Sequence, residues 1–313
     1  MGGRGRQLTS YYAVMLRRQI QRWANRLGKP AIWRSEQYAP RALTFPRYRD
    51  ENPAGDLPSI AVVTPVLNQA AFIRAAIDSV LGQNYPRLAY IVRDGGSSDG
   101  TVDILRSYGP SLDWASEADL GQSDAINLGF ARVSGDIMAW LNGDDMLVPG
   151  SLAYVGRFFQ ANPDIDAVYG HRIYIDIQGR ETGRCVLPAH DPRTLELADY
   201  IPQETLFWRR RVWQALSPID VSFQCAMDWE FILRAQAAGF AFRRLPRFLG
   251  CFRAHPAQKT ISRQSTSLAE MELLRRRRFG RDLTRDEINR GIEMYLLRHV
   301  FFDRLYQLGL LRY

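Results

Sequence analysis

The chain has 313 residues, of which 46% are hydrophobic and 24% charged, and its formal net charge is +8. This composition predicts one large or two small folded domains and excludes a disordered chain. No apolar run approaches the roughly 20 residues of a membrane-spanning helix, and no signal peptide is visible. The three cysteines are far apart and lack metal-ligand spacing, so we expect neither a disulfide framework nor a zinc site, and a cytoplasmic location fits.

The positive charge is concentrated at the two ends of the chain. Residues 1–50 contain 11 Lys and Arg against 2 Asp and Glu, and residues 275–313 contain 10 against 5, whereas residues 51–274 contain 20 against 26. A nucleic-acid-binding domain needs a basic face on its folded body, so we expect no nucleic-acid partner. Basic extensions instead favour contact with an anionic membrane surface.

Residues 7–28 form the first predicted helix, because apolar side chains recur every three or four positions beside arginines until Gly28 and Pro30 break the pattern. Such a helix is either an in-plane membrane anchor or a helix docked on the body of the protein. Residues 34–58 contain four prolines and little periodicity, which predicts a linker or strap. We therefore assign residues 1–57 to a basic helical N-terminal extension.

Short apolar strands alternate with amphipathic helices in the next part of the chain. The predicted order of strand and helix is Ile60–Val63, Ala70–Leu81, Leu88–Val92, Thr101–Tyr108, Leu112–Ser116, Ser123–Val133 and Ile137–Leu141. This alternation predicts an α/β fold with a parallel sheet and right-handed crossovers. The polar loops that follow the strands then meet at one edge of the sheet, where open α/β sheets bind ligands.

The pattern is more mixed from residue 151 onward. It predicts a helix at Ser151–Gln160, a hairpin of Ala167–Ile177 and Glu181–Leu187, a strand at Thr205–Arg209, a helix at Asp228–Ala238, a strand at Phe240–Phe252 and a helical tail from Leu268. We expect the folded core to begin at Ser59. Residues 258–313 are then a basic helical C-terminal extension.

The apolar strand at Ile137–Leu141 ends in Asn142-Gly143-Asp144-Asp145. Two adjacent carboxylates repel each other, and a hard divalent cation removes that repulsion by accepting oxygen ligands. Asp144 and Asp145 are therefore candidate ligands for Mg²⁺ or Mn²⁺. The alternative is a solvated turn without a ligand.

Three other polar residues lie where predicted elements begin or end. Asp94 ends a strand and precedes two glycines, so its carboxylate could accept from a nucleobase or a ribose, although a plain strand-to-helix turn has the same pattern. Asp228 opens a predicted helix. The helix N-terminus favours the ionised form of its carboxylate, which would then be available for chemistry; the alternative is that Asp228 only caps the helix. His255 follows a strand as a candidate ligand or as an ordinary histidine.

Four segments taken together resemble glycosyltransferase family 2 in their order and spacing. They are Thr64–Asn68, Asp94–Thr101, Gly135–Asp145 and Met227–Glu230, and the resemblance covers roughly residues 58–257. It implies the GT-A fold, a Rossmann-like and mostly parallel sheet with helices on both faces. It also implies a nucleotide-binding half at 58–150, an acceptor half at 151–257, a nucleotide-diphosphate sugar as donor, and inversion at the anomeric carbon.

The same resemblance assigns roles to individual residues. The expected nucleotide-binding residues are Thr64, Pro65, Asn68, Asp94, Gly96, Asp124 and Asn142; the expected metal ligands are Asp144, Asp145 and His255; and the expected catalytic base is Asp228. Arg93, Asn142 and Met227 depart from the family pattern, which has acidic residues at those positions.

The function that follows is metal-dependent sugar transfer to a hydroxyl of a glycan or lipid-linked acceptor. A divalent cation would act as a Lewis acid on the leaving diphosphate, and a carboxylate base would contribute about 10²–10⁴-fold. The family habit and the basic ends suggest synthesis of cell-surface polysaccharide or lipopolysaccharide by a cytoplasmic, peripheral protein at the inner face of a bacterial membrane.

Two alternatives remain open from the sequence. A non-catalytic sugar-nucleotide-binding protein is favoured by the three departures from the family pattern. A sugar-phosphate nucleotidyltransferase would also use an α/β sheet and metal-binding carboxylates. It should carry a Gly-rich loop with Arg or Lys after the first strand, and residues 64–71 have no such loop.

Overall fold

The structure is a computed structural model that describes residues 32–46, 48 and 56–313. The helix predicted at residues 7–28 lies outside this part of the chain. Within the described residues, every helix is too short or too polar to cross a bilayer.

The first half of the domain is a four-stranded parallel sheet with intervening helices. Its elements are β1 (Ile60–Val66), α1 (Ile73–Leu81), β2 (Leu88–Asp94), α2 (Thr101–Ser107), β3 (Asp113–Ser116), α3 (Gln122–Arg132) and β4 (Ile137–Trp140). The strands lie in the order β3-β2-β1-β4, and all three pairings are parallel. This arrangement confirms the predicted α/β fold with parallel crossovers.

β1 is buried over its whole length because helices cover both faces of the sheet. Ala61 and Val63 belong to the same apolar cluster as Ile126 of α3. Ile60 and Val62, which point to the other face, pack in the cluster that contains α1 and α2. The continuous apolar run in the sequence is therefore required by burial on both sides.

The second half continues the same sheet with mixed strand directions. Its elements are β5 (Met146–Leu147), α4 (Ser151–Ala161), β6 (Ala167–Ile175), β7 (Glu181–Cys185), α5 (Pro192–Leu195), β8 (Phe207–Arg209), α6 (Arg210–Leu216), α7 (Met227–Ala237) and β9 (Phe242–Arg253). The order continues β4-β8-β6-β9-β5, with β7 beside β6. β6 and β9 pair in parallel, and the other pairings in this half are antiparallel.

The C-terminal extension is helical, as predicted. It consists of α8 (Lys259–Ser262), α9 (Gln264–Phe279) and α10 (Arg285–Gln307). α10 begins with a capping box, in which the Thr284 side chain accepts from the Glu287 amide and the Glu287 side chain accepts from the Thr284 amide.

The strand predicted at Thr205–Arg209 begins two residues later than expected. Thr205 lies instead in a 3₁₀ turn at Gln203–Thr205. Its hydroxyl donates to the Pro202 carbonyl oxygen at 2.8 Å, and the hydroxyl oxygen accepts from the Gly170 amide at 3.1 Å. These local hydrogen bonds compete with strand pairing and delay the start of β8.

Residues 32–46 form an irregular segment, here called the strap, whose residues 37–41 lie along β7. The amides of Gln37 and Arg41 donate to the carbonyl oxygens of Thr182 and Glu181, at 2.9 and 3.0 Å, and the Glu181 amide donates back to the Arg41 carbonyl oxygen at 2.8 Å. This pairing gives the outer edge of β7 a hydrogen-bonded partner. Of the two alternatives predicted for residues 34–58, a linker or a strap, the structure shows a strap over residues 34–46.

The Glu181 carboxylate fixes the strap to the domain. Its side chain is fully buried and accepts from the Tyr38 hydroxyl and from Arg41, both at 2.5 Å, and from Arg184 at 2.8 and 2.9 Å. Burial alone would raise the pKa of Glu181, but the hydrogen bonds from Arg184, Tyr38 and Arg41 lower that pKa to about 2.

We predict that Glu181→Gln lowers the free energy of unfolding by about 3 kcal/mol at pH 7, because it leaves two guanidinium groups without their buried partner. Urea titration followed by circular dichroism measures this difference. The folded-state pKa lies below the ordinary value of 4.5, so the stabilisation is present above about pH 4.5 and is lost as the pH falls towards 2. The difference in free energy of unfolding between wild type and Glu181→Gln should therefore become smaller as the pH falls over that range.

Asp103→Asn is the matched control, because Asp103 pairs with Arg106 on the surface and is 77% exposed. We expect its free energy of unfolding to stay within about 0.5 kcal/mol of wild type. Equal stability of Glu181→Gln and wild type at pH 7 would contradict the proposed anchoring role.

Candidate functional site

A cavity of about 620 Å³ opens at the carboxyl ends of β1 and β4, between the two halves of the domain. Much of its wall comes from six segments, which lie around Pro65, Gln122, Asn142, Gln203, Asp228 and Lys259. β1 and β4 are parallel neighbours, so the loops that follow them emerge side by side. This is the position at which open α/β sheets bind ligands.

Six of the residues predicted to form the site line this one cavity. They are Pro65, Asn142, Asp144, Asp145, Asp228 and His255. They come from four distant parts of the sequence: the end of β1, the turn after β4, the first turn of α7 and the segment after β9. The juxtaposition of acidic residues at one sheet edge therefore agrees with the topology inferred from the sequence.

Thr64, Asn68, Asp94, Gly96 and Asp124 are not among the described residues that line the cavity. Thr64 is fully buried, and its Oγ1 lies 3.0 Å from the Tyr90 hydroxyl. Asp124 lies in the first turn of α3, where its Oδ2 accepts from the Leu120 amide at 3.0 Å. A contact of either side chain with a nucleotide stays a prediction.

Asp94 organises the loop at the rim next to the cavity. Its carboxylate accepts from the amides of Gly96 and Ser97 at 3.1 and 2.9 Å, and from the hydroxyls of Ser97 and Ser116, both at 2.5 Å. Gly96 has a φ of 87°, in the region that favours glycine. Asn68 joins this loop to the end of β1, because its Oδ1 accepts from the Ser98 amide at 2.9 Å.

The turn after β4 places Asp144 beside His255. Asp144 Oδ2 lies 3.0 Å from His255 Nε2, and both side chains are at least nine-tenths buried. Asp145 is more enclosed: its Oδ1 accepts from the Arg253 amide at 3.0 Å and its Oδ2 from Asn142 Nδ2 at 3.3 Å. Burial and the neighbouring charge of Asp144 raise the pKa of Asp145 well above its usual range.

The residues around Asp144 fit a divalent cation that is shared with a phosphorylated ligand. Within residues 32–46, 48 and 56–313, no three His, Cys, Asp or Glu side chains are placed to hold a metal ion on their own. Mg²⁺ at phosphate sites is held by one or two carboxylates together with substrate oxygens and water, and carboxylate and water ligands also suit Mn²⁺. Asp144 supplies such a carboxylate, Asp145 follows it in the chain, and His255 lies 3.0 Å from Asp144 as a further candidate ligand.

The predicted base, Asp228, is half-buried in the first turn of α7, where its Oδ1 accepts from the Trp229 amide at 2.9 Å. Burial raises the pKa of Asp228 to about 6. Asp199 lies on the same wall, and burial together with the charge of Asp228 raises its pKa well above the usual range. Two carboxylates in one poorly hydrated space disfavour each other's ionisation.

The sequence reasoning did not assign several residues of the cavity, among them Asp119, Gln122, Asp199 and Lys259. Lys259 Nζ donates to Gln122 Oε1 at 2.9 Å, and Gln122 Nε2 donates to Asn142 Oδ1 at 2.7 Å. This chain joins the segment after β9 to the turn after β4. Gln122 could have been found from its position, because it follows Gly121 and directly precedes the helix predicted from Ser123.

Asp119 explains why glycine follows Asp94. A Cβ atom added at Gly95 would lie 2.8 Å from Asp119 Oδ2, so no larger residue fits while Asp119 keeps its place at the cavity. Burial raises the pKa of Asp119.

The lining of the cavity is acidic overall. It contains the carboxylates of Asp119, Asp144, Asp145, Asp199, Glu204 and Asp228 against the basic groups of Arg172, Lys259 and Arg263. Arg172 is already paired with Glu204, through hydrogen bonds of 2.8 and 2.5 Å. A diphosphate entering this space would therefore meet net negative charge unless a cation came with it.

The family model described as "Glycosyl transferase family 2" matches residues 61–215. A PGL/p-HBAD biosynthesis glycosyltransferase of Mycobacterium tuberculosis (strain ATCC 25618 / H37Rv) is 30% identical over 182 residues, which are 56% of this chain and 69% of that protein. An uncharacterized glycosyltransferase of the same strain is 29% identical over 181 residues, which are 57% of this chain and 69% of the relative.

Two solved structures share the fold. Mannosyltransferase PcManGT from Pyrobaculum calidifontis, in complex with GDP-Man and Mn²⁺, has a TM-score of 0.56 and 18% identity, with 96% of this chain and 84% of that chain covered. TarS residues 1–349 from S. aureus, in complex with UDP, has a TM-score of 0.55 and 16% identity, with 82% and 75% covered. This chain covers 44% of the longer TarS structure.

The likenesses show the GT-A fold, which agrees with the observed sheet. They also favour a sugar-transferring enzyme over a nucleotidyltransferase or a binding protein without activity. From the matching family model, the relative that is 30% identical and the acidic cavity at the strand ends, we conclude that the chain belongs to glycosyl transferase family 2 and is a glycosyltransferase.

Proposed function

We propose that the protein is an inverting, metal-dependent enzyme that moves a sugar from a nucleotide-diphosphate sugar to a hydroxyl of a glycan or lipid-linked acceptor. The observation that carries this proposal is that Asp144, His255 and Asp228 line one cavity at the strand ends. We further propose that the reaction serves the synthesis of cell-surface polysaccharide or lipopolysaccharide at the inner face of a bacterial membrane.

Proteins of the same fold support the choice of donor. The TarS structures contain UDP or UDP-GlcNAc, and the PcManGT structure contains GDP-Man and Mn²⁺. UDP is a nucleotide diphosphate, and UDP-GlcNAc and GDP-Man are sugar esters of nucleotide diphosphates. A donor of this class suits a cavity that lies between a Rossmann-like half and a second, more mixed half.

In this proposal Asp144 and His255 hold Mg²⁺ or Mn²⁺ with Asp145 behind them, and Pro65 and Asn142 border the nucleotide. The bound cation would stabilise the negative charge that grows on the leaving diphosphate. Lys259 adds a positive charge from the segment after β9. Burial lowers its pKa. Its ammonium group donates to Gln122 Oε1, and Gln122 Nε2 donates in turn to Asn142.

Asp228 acts as the general base. Its carboxylate takes the proton of the acceptor hydroxyl as the hydroxyl oxygen attacks the anomeric carbon. A single base on the side opposite the leaving diphosphate produces in-line attack and inversion. Thr64, Asn68, Asp94, Gly96 and Asp124 support the nucleotide from the adjacent rim in this proposal.

We predict that Asp228→Asn lowers the rate constant of transfer by about 10²–10⁴-fold, because the amide cannot accept the hydroxyl proton. The wild-type rate should rise with pH through an apparent pKa of about 6, because the base works only in its ionised form. Initial rates between pH 5 and pH 8 measure both effects.

Asp282→Asn is the matched control, since Asp282 lies outside the cavity lining and is 70% exposed. It should keep the wild-type rate and pH profile. Transfer by Asp228→Asn at the wild-type rate would rule out Asp228 as the base.

We predict that donor hydrolysis stops when EDTA removes divalent ions and returns when Mn²⁺ or Mg²⁺ is added. Asp144→Asn should raise the Mn²⁺ concentration for half-maximal hydrolysis at least tenfold, because it removes the carboxylate best placed for the ion. Asp164→Asn, a change of an exposed carboxylate away from the cavity, should leave that concentration unchanged. Full activity in EDTA would contradict the metal-dependent proposal.

α10 supports the membrane part of the proposal. Met294, Phe301 and Leu308 are spaced by seven residues, so they share one helical face, and they are 53%, 52% and 71% exposed. Arg298 and Arg304 lie on the same helix. An exposed apolar stripe with basic neighbours is typical of helices that lie in the plane of an anionic membrane surface.

We predict that the protein sediments with vesicles that contain phosphatidylglycerol and that high salt weakens this binding. Changing both Met294 and Phe301 to serine should weaken it at least tenfold, because a buried apolar side chain contributes about 1.5–3 kcal/mol. Leu268→Ser, at a 53% exposed position of α9, is the control. Unchanged sedimentation of the double variant would exclude this face.

A further inference from the structure

Two residues of the strap, Ile32 and Trp33, line the cavity although they precede the part of the chain that matches the family. Trp33 is 55% exposed, and its Nε1 donates to the Asp199 carbonyl oxygen at 3.2 Å. Ile32 is buried, and its carbonyl oxygen accepts from the Tyr174 hydroxyl at 2.6 Å. These two bonds hold an exposed indole ring at the wall of the cavity.

The position of Trp33 is set by the anchoring of the strap rather than by burial of its own ring. The strap pairs with β7 through Gln37 and Arg41, and the buried Glu181 carboxylate ties it to the domain. Gly183 packs closely against Gln37, because a Cβ atom added at Gly183 would lie 2.7 Å from the Gln37 side chain. A ring presented this way loses little conformational freedom when a ligand stacks on it.

The same wall carries three buried polar atoms that have no hydrogen-bond partner among the described residues: Asp199 Oδ1, Gln203 Oε1 and Trp140 Nε1. Gln203 Nε2 donates to the Trp140 carbonyl oxygen at 2.8 Å, which fixes the orientation of the amide and identifies Oε1 as its unpaired atom. These atoms have almost no accessible surface, so a ligand can pair with them only when their side chains turn towards the cavity. Pairing then removes the cost of a buried polar atom without a partner.

The set consists of two acceptors and one donor next to an aromatic ring. A sugar hydroxyl both donates and accepts, and a pyranose ring has an apolar face that can cover an indole. An anionic group at the same place would face two carboxyl groups, Asp199 and Asp228, which line this wall together and offer it no positive partner. These atoms therefore favour a neutral sugar over a phosphate or a carboxylate.

We propose that Trp33, Asp199 and Gln203 form a subsite for a neutral pyranose ring of the acceptor. The subsite rests on the proposed function, because it names the acceptor class for the same cavity. It gives the strap, which lies outside the matched range, a role in specificity.

The kinetic test uses the full chain with Mn²⁺, a nucleotide sugar that the wild type hydrolyses, and a panel of methyl glycopyranosides as acceptor probes. Trp33→Ala and Asp199→Asn should each lower the ratio of sugar transfer to donor hydrolysis about tenfold, which corresponds to about 1.4 kcal/mol. Trp33→Phe keeps an aromatic face and should retain most of the ratio. Phe279→Ala changes an exposed aromatic residue outside the cavity lining and should not alter it.

A binding test separates this inference from the proposed function. In protein labelled with 5-fluorotryptophan, the ¹⁹F resonance missing from Trp33→Phe identifies Trp33. Methyl glycopyranosides should shift that resonance in the wild type, and the shift should be at least tenfold weaker in Asp199→Asn at equal concentration. If the wild type hydrolyses no nucleotide sugar, the proposed function fails, and this resonance still decides the subsite.

The subsite is overturned if Trp33→Ala transfers sugar with the wild-type ratio. It is also overturned if the Trp33 resonance is unmoved by every glycoside of the panel.

Discussion

The repulsion among carboxylates at one cavity is the constraint on which the rest of the site depends. Six acidic side chains meet three basic ones there, and one acid and one base of this set, Glu204 and Arg172, are paired with each other. Burial raises the pKa of Asp119, Asp145, Asp199 and Asp228, and carboxyl groups with perturbed pKa values cluster at functional sites. In the proposed function, a bound cation would relieve this repulsion and allow a diphosphate to enter.

The fold creates this crowding through its strand order. β1 and β4 are adjacent and parallel, so their polar ends emerge together, and burial on both faces makes their register rigid. His255 reaches the same cavity from the segment after β9, and Asp228 reaches it from the first turn of α7. The hydrogen bonds from Lys259 through Gln122 to Asn142 join these separate segments into one wall.

The sequence was sufficient for the alternation of strands and helices, because parallel topology brings the ends of β1 and β4 to one edge. The meeting of Asp144, His255 and Asp228 was expected only from the family resemblance, since Asp228 opens a helix and the strands of the second half run in mixed directions. The sequence could not locate Asp199 or Gln203, which come from a poorly periodic segment before β8. Nor could it place Trp33, whose position depends on the Glu181 contacts across about 150 residues. The sequence also could not give the direction of individual side chains. Thr64 lies in the core beside Tyr90, and the Asp94 carboxylate accepts hydrogen bonds from Ser97 and Ser116.

The most direct test of the central claim is calorimetric titration of UDP and GDP into the protein, once with Mn²⁺ and once with EDTA. If the acidic cavity requires a cation to accept a diphosphate, at least one nucleotide should bind at least tenfold more tightly with Mn²⁺, a difference of about 1.4 kcal/mol. That difference should disappear in Asp144→Asn. Binding of equal strength with and without the metal would contradict the account.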